Sequence, residues 1–186
     1  ASASPYRRRA CVESMRACGA ENFMPRIGDC HIEGRVPKAL GPKMAELGMF
    51  GANLPEEYGC AGLNNVAYGL IMHELERGDS GVRSFASVQG ALVMYPIYAF
   101  GSEEQKKYYL PRMAQGEIIG CFGLTEPDYG SNPSGMITRA LIQKDGSWVI
   151  NGAKMWITNG STGQVAIIWA NIGEEKSEQA IRGFLV

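Results

Sequence analysis

The stretch CFGLTEPDYGSNPSG, residues 121–135, carries three glycines and two prolines directly behind an apolar run. Before about residue 115 the apolar residues recur with a helical period, and beyond Gly116 the period shifts to two. The loop therefore stands where helices give way to strands. This order predicts an α+β fold, with an all-α N-terminal domain over residues 21–118 and an antiparallel β domain over residues 119–186.

The helical half contains clear helix signals. KALGPKMAELGMFG places Leu40, Met44 and Leu47 on one face before a glycine stop, and residues 64–78 repeat the pattern with an apolar face of Val66, Leu70 and Ile71.

A further helix is predicted at SEEQKKYYLPRM. Ser102 followed three residues later by Gln105 makes a capping box, and the helix is expected to stop near Pro111.

The β half is predicted from hairpin and strand signals. Residues 148–150 run into Asn151-Gly152, a strong hairpin signal, and AKMWITN at 153–159 is expected to return as the paired strand. Residues 164–172 and 181–186 are two more strands, and the last of them ends the sequence. A truncated sequence is therefore expected.

Composition excludes several classes of protein. A formal net charge of -1 and a pI near 6.2 argue against a nucleic-acid binder, which needs a basic excess. The five cysteines form no C-x-x-C pair, and His31 and His73 lie far apart. We therefore expect reduced thiols and no metal site.

The N-terminal residues 1–20 contain a basic cluster and no acid before Glu13. This pattern is typical of the remnant of a mitochondrial transit peptide, and a frayed terminus is the alternative. Arg83 is the one charged residue in the run from Ser80 to Gly101, but glycines, Gln89 and Pro96 interrupt its apolar residues, which argues against a membrane span.

The loop at 121–135 offers hydrogen-bond donors. Its glycines allow backbone N–H groups to converge on an anion or a polar ring edge, and Thr125 and Ser131 add hydroxyls. The alternative is a turn that only connects two strands. If residues 153–159 form a strand, then Lys154, Trp156 and Thr158 share one face that suits a planar cofactor, unless Trp156 belongs to the core.

Arg83 is the only charged residue between Ser80 and Gly101. On a helix it shares a face with Ser87, and the two could grip a carboxylate. The alternative is an internal ion pair with Glu76 or Asp79. The two interpretations are compatible if the acid of the ion pair orients Arg83 toward a bound carboxylate.

Five segments resemble the acyl-CoA dehydrogenase family, in its order and spacing, and within it the glutaryl-CoA dehydrogenases: ELERGDSGVRSFASVQ, YPIYAFGSEEQKKYYLP, GCFGLTEPDYGSNPSGM, WVINGAKMWITN and IRGFLV. The resemblance implies an FAD enzyme with a helical, a β and a second helical domain, of which the sequence spans the first two. It further implies an acyl-CoA substrate, electron-transferring flavoprotein as acceptor and a homotetramer, in the mitochondrial matrix of a eukaryote or the cytoplasm of a bacterium.

The resemblance also implies site residues. Those that match the family's flavin positions are Phe122, Gly123, Leu124, Thr125, Glu126, Ser131, Trp156, Ile157 and Thr158. Those that match positions around the distal carboxylate and acyl-CoA are Glu76, Arg83, Ser84, Ser87 and Ser131. Tyr129 and Asn132 depart from the family, which has a small residue and Asp there.

The implied reaction removes the α proton, passes a β hydride to flavin and releases CO2 to form crotonyl-CoA. The family's carboxylate base sits on the second helical domain, so no catalytic residue is expected within this sequence. Three hypotheses follow: the front part of a glutaryl-CoA dehydrogenase, a general short-chain acyl-CoA dehydrogenase, or a binding remnant without chemistry.

Overall fold

The computed structural model describes residues 13, 16, 17, 19, 21, 24–34, 40–173 and 180–186. The chain divides into two compact units, Ala1–Ile119 and Gly120–Val186. Helices occupy the first and strands the second, which confirms the predicted α+β class. Most of the basic segment 1–20, most of the polar linker 173–180, and Cys11 and Cys18 lie outside the described residues.

The helical unit is built from helices joined by short turns. Its described elements are α1 (Met24–Ile32), α2 (Leu40–Glu46), a 3-10 turn (Glu56–Tyr58), α3 (Asn65–Gly78), α4 (Ser80–Ser87), a π-helical segment (Val88–Met94), α5 (Tyr95–Phe100) and α6 (Glu103–Ala114). Among these elements, no helix is long and apolar enough to cross a membrane.

The predicted apolar faces are right for two of three residues in α2 and partly wrong for α3, since Leu47 lies beyond the end of α2 and is half-buried. Leu40 and Met44 of α2 are buried, as expected. In α3, Ile71 is buried, but Val66 is 58% exposed and Leu70 is 37% exposed. The inward face of α3 instead includes Glu74, because its carboxylate receives hydrogen bonds of 3.0 and 3.1 Å from the guanidinium of Arg16.

Helix α6 begins with the predicted capping box. Ser102 Oγ accepts from the Gln105 amide at 3.2 Å, and Gln105 Oε1 accepts from the Ser102 amide at 2.9 Å. The predicted stop near Pro111 is wrong, since the helix continues to Ala114. Beyond the proline the last turn is held by the Gln115 amide, which donates to Pro111 O at 3.1 Å.

The π-helical segment joins α4 to α5 without a break. It points the fully buried Gln89 toward the end of α6, where Nε2 donates to Met113 O at 3.1 Å and to Ile118 O at 2.8 Å. Met113 O also accepts from the Gly116 amide at 3.1 Å, so the Gln89 amide adds a second hydrogen bond there and supplies a donor to Ile118 O beyond the end of the helix. Gly90 lies against the backbone of Gly51, where an added Cβ would stand 3.0 Å from Gly51 N.

Gly51→Ala is expected to destabilise the helical unit by about 2–4 kcal/mol. Gly51 has a φ of +62°, and a Cβ there would stand 2.6 Å from Met94 Cε and 3.1 Å from Cys60 Sγ. Urea unfolding measures the loss. Gly69→Ala is the matched control, because Gly69 is exposed in α3 with open space around it and should gain about 0.5–1 kcal/mol. Equal effects at the two sites would contradict the packing argument.

The β unit contains one mixed sheet of β1 (Gly120–Gly123), β2 (Arg139–Ile142), β3 (Trp148–Asn151), β4 (Val165–Asn171) and β5 (Ile181–Leu185). β2 pairs antiparallel with β3, and β4 pairs antiparallel with β5. β1 and β2 each run parallel to β4, so the expectation of an antiparallel sheet is correct for only two of the four pairings. Antiparallel partners can be joined by a tight turn, whereas β1 reaches β4 through a long connection.

The predicted hairpin at Asn151-Gly152 is wrong, and β2 was not predicted. β3 pairs backward with β2 around the turn at Asp145-Gly146, where the Gln143 amide donates to Ser147 O at 2.8 Å. Asn151 pairs with Arg139 at the end of β3, and residues 152–164 are not strand.

Candidate functional site

The loop after β1 is folded around the carboxylate of Glu126. This side chain is 1% exposed and accepts hydrogen bonds from the amides of Ile137 at 2.7 Å and Thr138 at 2.9 Å. Burial would raise its pKa, but hydrogen bonds from Thr138, from the Ile137 amide and from Lys154 outweigh burial and hold the pKa at about 2. Glu126 is therefore ionised, and it closes the loop by joining its two ends.

Lys154 links this loop to the segment that follows β3. Its ammonium, on a side chain that is 10% exposed, donates to Glu126 Oε1 at 2.9 Å and to Leu124 O at 3.0 Å. Met136 Sδ lies 3.9 Å from the same nitrogen. Gly123 makes room for the side chain of Ile168, since an added Cβ would stand 2.6 Å from Ile168 Cδ1, and the lysine stem lies alongside, at 3.5 Å from that position.

The segment 152–160 runs beside β1 and its loop in the opposite direction. The Met155 amide donates to Thr125 O at 2.9 Å, and Asn159 Nδ2 donates to Gly120 O at 3.1 Å. Trp156 and Asn159 have φ values of 60° and 65°, so this backbone is not extended. The prediction that Lys154, Trp156 and Thr158 share one face of a strand is therefore wrong, because the left-handed turn at Trp156 breaks the alternation.

Trp156 presents a broad apolar surface next to this loop. The indole is 85% exposed, which argues against the core alternative. A left-handed backbone is rare for a bulky residue, and such conformations cluster at functional sites. The Met155 contact with Thr125 holds the two segments together, so the indole lies beside the loop that the sequence singled out.

The donor set around Trp156 suits a planar, hydrogen-bonding cofactor. The side-chain hydroxyls of Thr125, Ser131 and Thr158 donate to no partner within the described part of the chain, and none of them is buried. An accessible indole with two threonine hydroxyls on the segments beside it can stack on a ring and bond to the ring's edge. Ser131 lies farther out, exposed at the tip of the loop.

The remaining predicted flavin positions lie in β1 and in the two segments just described. The Phe122 ring meets the Trp169 ring edge to face at 6.0 Å between centroids, and Ile157 is half-buried. Beside the loop is a cleft of about 280 Å³, lined by Leu124, Pro133, Ser134, Met136, Trp169 and Ile181.

The two departures from the family pattern are accommodated locally. The ring of Tyr129 lies against Gly135, at the place that a Cβ would occupy. Asn132 Oδ1 accepts from the Ser134 hydroxyl at 2.7 Å. The loop thus makes room for a phenol by using a glycine, and it keeps an acceptor at position 132 without a charge.

In the helical unit, Arg83 lies at the predicted cluster. Its Nε donates to Glu76 Oε2 at 2.6 Å, which confirms the ion-pair alternative, while Asp79 instead caps α4 through the Val82 amide at 2.8 Å. Arg83 Nη1 also reaches Ser87 Oγ at 3.5 Å, so the expected pairing of Arg83 with Ser87 on one face is found as well. The Ser87 hydroxyl donates in turn to Ser84 O at 3.2 Å.

The guanidinium of Arg83 keeps donors available. Of its five N–H groups, one goes to Glu76 and one reaches Ser87, so the other three have no partner among the described residues. The side chain is 35% exposed, and Glu76 fixes it from the Nε side. The Nη edge can therefore receive a carboxylate in the fork geometry that arginine favours. Tyr68 of α3 lies near this charge, and burial raises the pKa of its phenol.

Lys154 lies at the centre of the candidate site, although the alternation of residues 153–159 indicated only a place on a strand face. It is the sole charged residue between Asp145 and Glu174. An isolated charge in a long uncharged run must find a partner, which is the argument that singled out Arg83. The same signal was available for Lys154.

Within the described residues no group of His, Cys, Asp or Glu could hold a metal ion. The free cysteines described are Cys30, Cys60 and Cys121. Burial raises the pKa of Cys60 to about 11 and also raises that of Cys121, so neither is an activated thiolate.

Known proteins match both units. The N-terminal domain of acyl-CoA dehydrogenases matches residues 7–117, and their middle domain matches residues 121–186. The short-chain specific acyl-CoA dehydrogenase of human mitochondria is 35% identical over 182 residues, which are 98% of this chain and 44% of that enzyme. The chain thus spans less than half the length of this relative.

Two solved structures show the same fold. Glutaryl-CoA dehydrogenase from Mycobacterium smegmatis, in complex with FADH2, has a TM-score of 0.89 and 49% identity over 96% of this chain and 45% of that one. Butyryl-CoA dehydrogenase from Megasphaera elsdenii has a TM-score of 0.89 and 31% identity over 96% of this chain and 48% of that one. The resemblance drawn from the sequence is confirmed, and the chain belongs to the acyl-CoA dehydrogenase family.

Proposed function

We propose that this chain supplies the flavin surface and the acyl-pocket arginine of an FAD-dependent dehydrogenase that acts on glutaryl-CoA. Arg83 is the observation that supports glutaryl-CoA as the substrate, because Glu76 orients its guanidinium and leaves the Nη edge available. A plain fatty acyl chain has no group that needs such a cation, whereas the distal carboxylate of glutaryl-CoA does.

The FAD assignment rests on the accessible indole of Trp156 and on the hydroxyls of Thr125 and Thr158. Trp156 would stack on the ring system, and the two threonines would bond to its edge. The backbone of Phe122–Glu126 and the Ile157 segment would complete the wall, with Ser131 near the phosphates. The complex of the Mycobacterium smegmatis enzyme with FADH2 supports this assignment.

Each residue of the arginine cluster has a distinct proposed role. Glu76 holds the guanidinium in place, Arg83 binds the distal carboxylate, and Ser87 and Ser84 add polar contacts at its side. The role proposed for these residues is to bind and orient the substrate. Glu126 cannot serve as the base, because its carboxylate is buried and fully bonded.

The overall reaction proposed is the oxidative decarboxylation of glutaryl-CoA to crotonyl-CoA and CO2. When bound, FAD supplies a two-electron acceptor for the β hydride. The residues described here bind the cofactor and hold the substrate chain at its far end, and no catalytic base is assigned within residues 1–186. Electrons would leave to electron-transferring flavoprotein, from a homotetramer.

A general short-chain acyl-CoA dehydrogenase is the second candidate. The 35% identity to the human short-chain enzyme favours it, and Arg83 would then serve only the ion pair with Glu76. The 49% identity to a glutaryl-CoA dehydrogenase, against 31% to a butyryl-CoA dehydrogenase, supports the first candidate. Both candidates share the domain limits proposed above, 21–118 and 119–186. The compartment would be the mitochondrial matrix in a eukaryote and the cytoplasm in a bacterium.

An anaerobic absorption spectrum tests the proposal. The protein at its natural chain length is loaded with FAD, and glutaryl-CoA or butyryl-CoA is added in equal amounts. We expect FAD to remain bound through desalting and glutaryl-CoA to bleach the flavin band much faster than butyryl-CoA does. Equal bleaching by the two substrates would favour the short-chain candidate. Failure to retain FAD would overturn both.

A further inference from the structure

The ammonium of Lys154 is placed where the two segments of the proposed flavin surface meet. One segment carries Leu124 and Thr125, and the other carries Trp156 and Thr158. Lys154 is on the second segment, but its three N–H donors all point to the first, toward Leu124 O, Glu126 Oε1 and Met136 Sδ. The donor capacity of a lysine is thereby used up, so this side chain has no proton left for a ligand.

Among the described residues, one backbone hydrogen bond joins the same two segments near the indole. It runs from the Met155 amide to Thr125 O at 2.9 Å, and the lysine contacts lie one residue away on each side. Without the lysine, that hydrogen bond and the contact from Asn159 Nδ2 to Gly120 O would be left to hold the left-handed turn at Trp156 against its own strain. Position and orientation of the indole therefore depend on the ammonium.

We propose that Lys154 is a positioning residue for the flavin: it fixes the loop at Leu124–Glu126 to the turn that presents Trp156, without touching the cofactor. This inference rests on the proposed flavin site and adds to it a residue that lies behind the surface. Glu126 is the counter-charge that holds the ammonium in place, at 2.9 Å from Oε1.

The test measures FAD affinity rather than turnover. Apoprotein of natural chain length is titrated with FAD, and the quenching of flavin fluorescence gives Kd. Lys154→Met keeps the stem that packs on Gly123 and removes the charge. Lys144→Met is the matched control, because Lys144 is exposed in the turn between β2 and β3.

For Lys154→Met we expect a rise in Kd of at least about tenfold, which corresponds to about 1.4 kcal/mol. The midpoint potential of the bound flavin should also shift, since contacts at the ring edge would change. Lys144→Met should match the wild type in both measurements. Wild-type values for a folded Lys154→Met variant would overturn the inference.

A second variant covers the case in which Lys154→Met unfolds. The double variant Glu126→Gln with Lys154→Met removes both charges, and such neutral replacements of a buried pair are often tolerated. We expect its thermal unfolding to return toward that of the wild type while FAD binding stays weak. Recovery of binding together with stability would overturn the inference, because Lys154 would then act on folding alone. If the wild type binds no FAD, the proposed function itself fails.

Discussion

Replacing Arg83 by Gln is expected to lower kcat/KM for glutaryl-CoA by on the order of 30- to 100-fold while leaving butyryl-CoA within about twofold. Loss of one partner from a hydrogen-bonded charge pair costs about 2–5 kcal/mol, and the lower half of that range applies because solvent still reaches this side chain. The arginine is 35% exposed in the structure. Steady-state kinetics with both substrates measure the effect.

The control for this substitution is Arg77→Gln. Arg77 lies on the neighbouring helix α3, is 55% exposed and stands 3.7 Å from Glu74, outside the proposed acyl pocket. The Arg77→Gln substitution removes the same charge from the same unit, and it should leave kcat/KM for both substrates unchanged. A similar loss of kcat/KM for both substrates in the Arg83 variant would show that the arginine supports the fold rather than recognising the distal carboxylate of glutaryl-CoA.

Glu126→Ala is expected to destabilise the β unit by about 3–5 kcal/mol. The substitution leaves the Lys154 ammonium buried without its counter-charge, and it leaves the amides of Ile137 and Thr138 without acceptors. Urea unfolding followed by tryptophan fluorescence measures the change.

Asp128→Ala provides the comparison for this loss. Asp128 is an exposed carboxylate in the same loop, and no hydrogen bond to it is found among the described residues. Its removal should change the free energy of unfolding by less than about 0.5 kcal/mol. If the two variants lose equally, burial of the Glu126 carboxylate is not what organises the loop.

Low pH should remove the stabilisation that the Glu126 carboxylate gives to the folded chain. The pKa of Glu126 is lowered from 4.5 to about 2 in the folded chain, so its contribution is fully present above pH 4.5 and is lost as the pH falls toward 2. The shift corresponds to about 3 kcal/mol. Unfolding measured at several pH values should show this component in the wild type and not in Glu126→Gln. Identical pH profiles for the two proteins would refute it.

The sequence predicts the helical unit better than the sheet. The capping box at Ser102 and the face of α2 are local signals, and the structure confirms both. The error at Pro111 arises because distant groups, Gln89 among them, hold the end of α6. Such contacts are made across the fold and leave no local pattern in the sequence.

The hairpin error has a different cause. Asp145-Gly146 and Asn151-Gly152 are both good turn signals, and a strand has two edges, so neither turn excludes the other; β3 pairs with β2 around the first, while the left-handed residues Trp156 and Asn159 prevent a strand after the second. The strand chooses β2, whose short sequence RALI shows no alternation. Local alternation therefore neither indicated β2 nor revealed the left-handed residues that follow β3.

For the candidate site, residue types were more predictable than their orientations. Arg83 and Ser87 came together as the helical spacing predicted, because a helix repeats regularly. Lys154 and Trp156 did not share a face, because the left-handed turn at Trp156 depends on contacts with the loop after β1. Which of these residues bind ligands stays a prediction.

The π-helical segment at Val88–Met94 makes this chain sensitive to changes in length. A π turn holds about one residue more than an α turn, so deleting one residue there would let the segment return to α geometry with α4 and α5 close to their present register, but it would shift the side chains within the segment, Gln89 among them. Arg83 and Ser87 stand on one side of that point, and the buried end of α5 stands on the other. Glu76, Arg83 and Ser87 all precede the segment and would keep their contacts with one another, so a single-codon deletion there would cost instead the hydrogen bonds from Gln89 to Met113 O and Ile118 O.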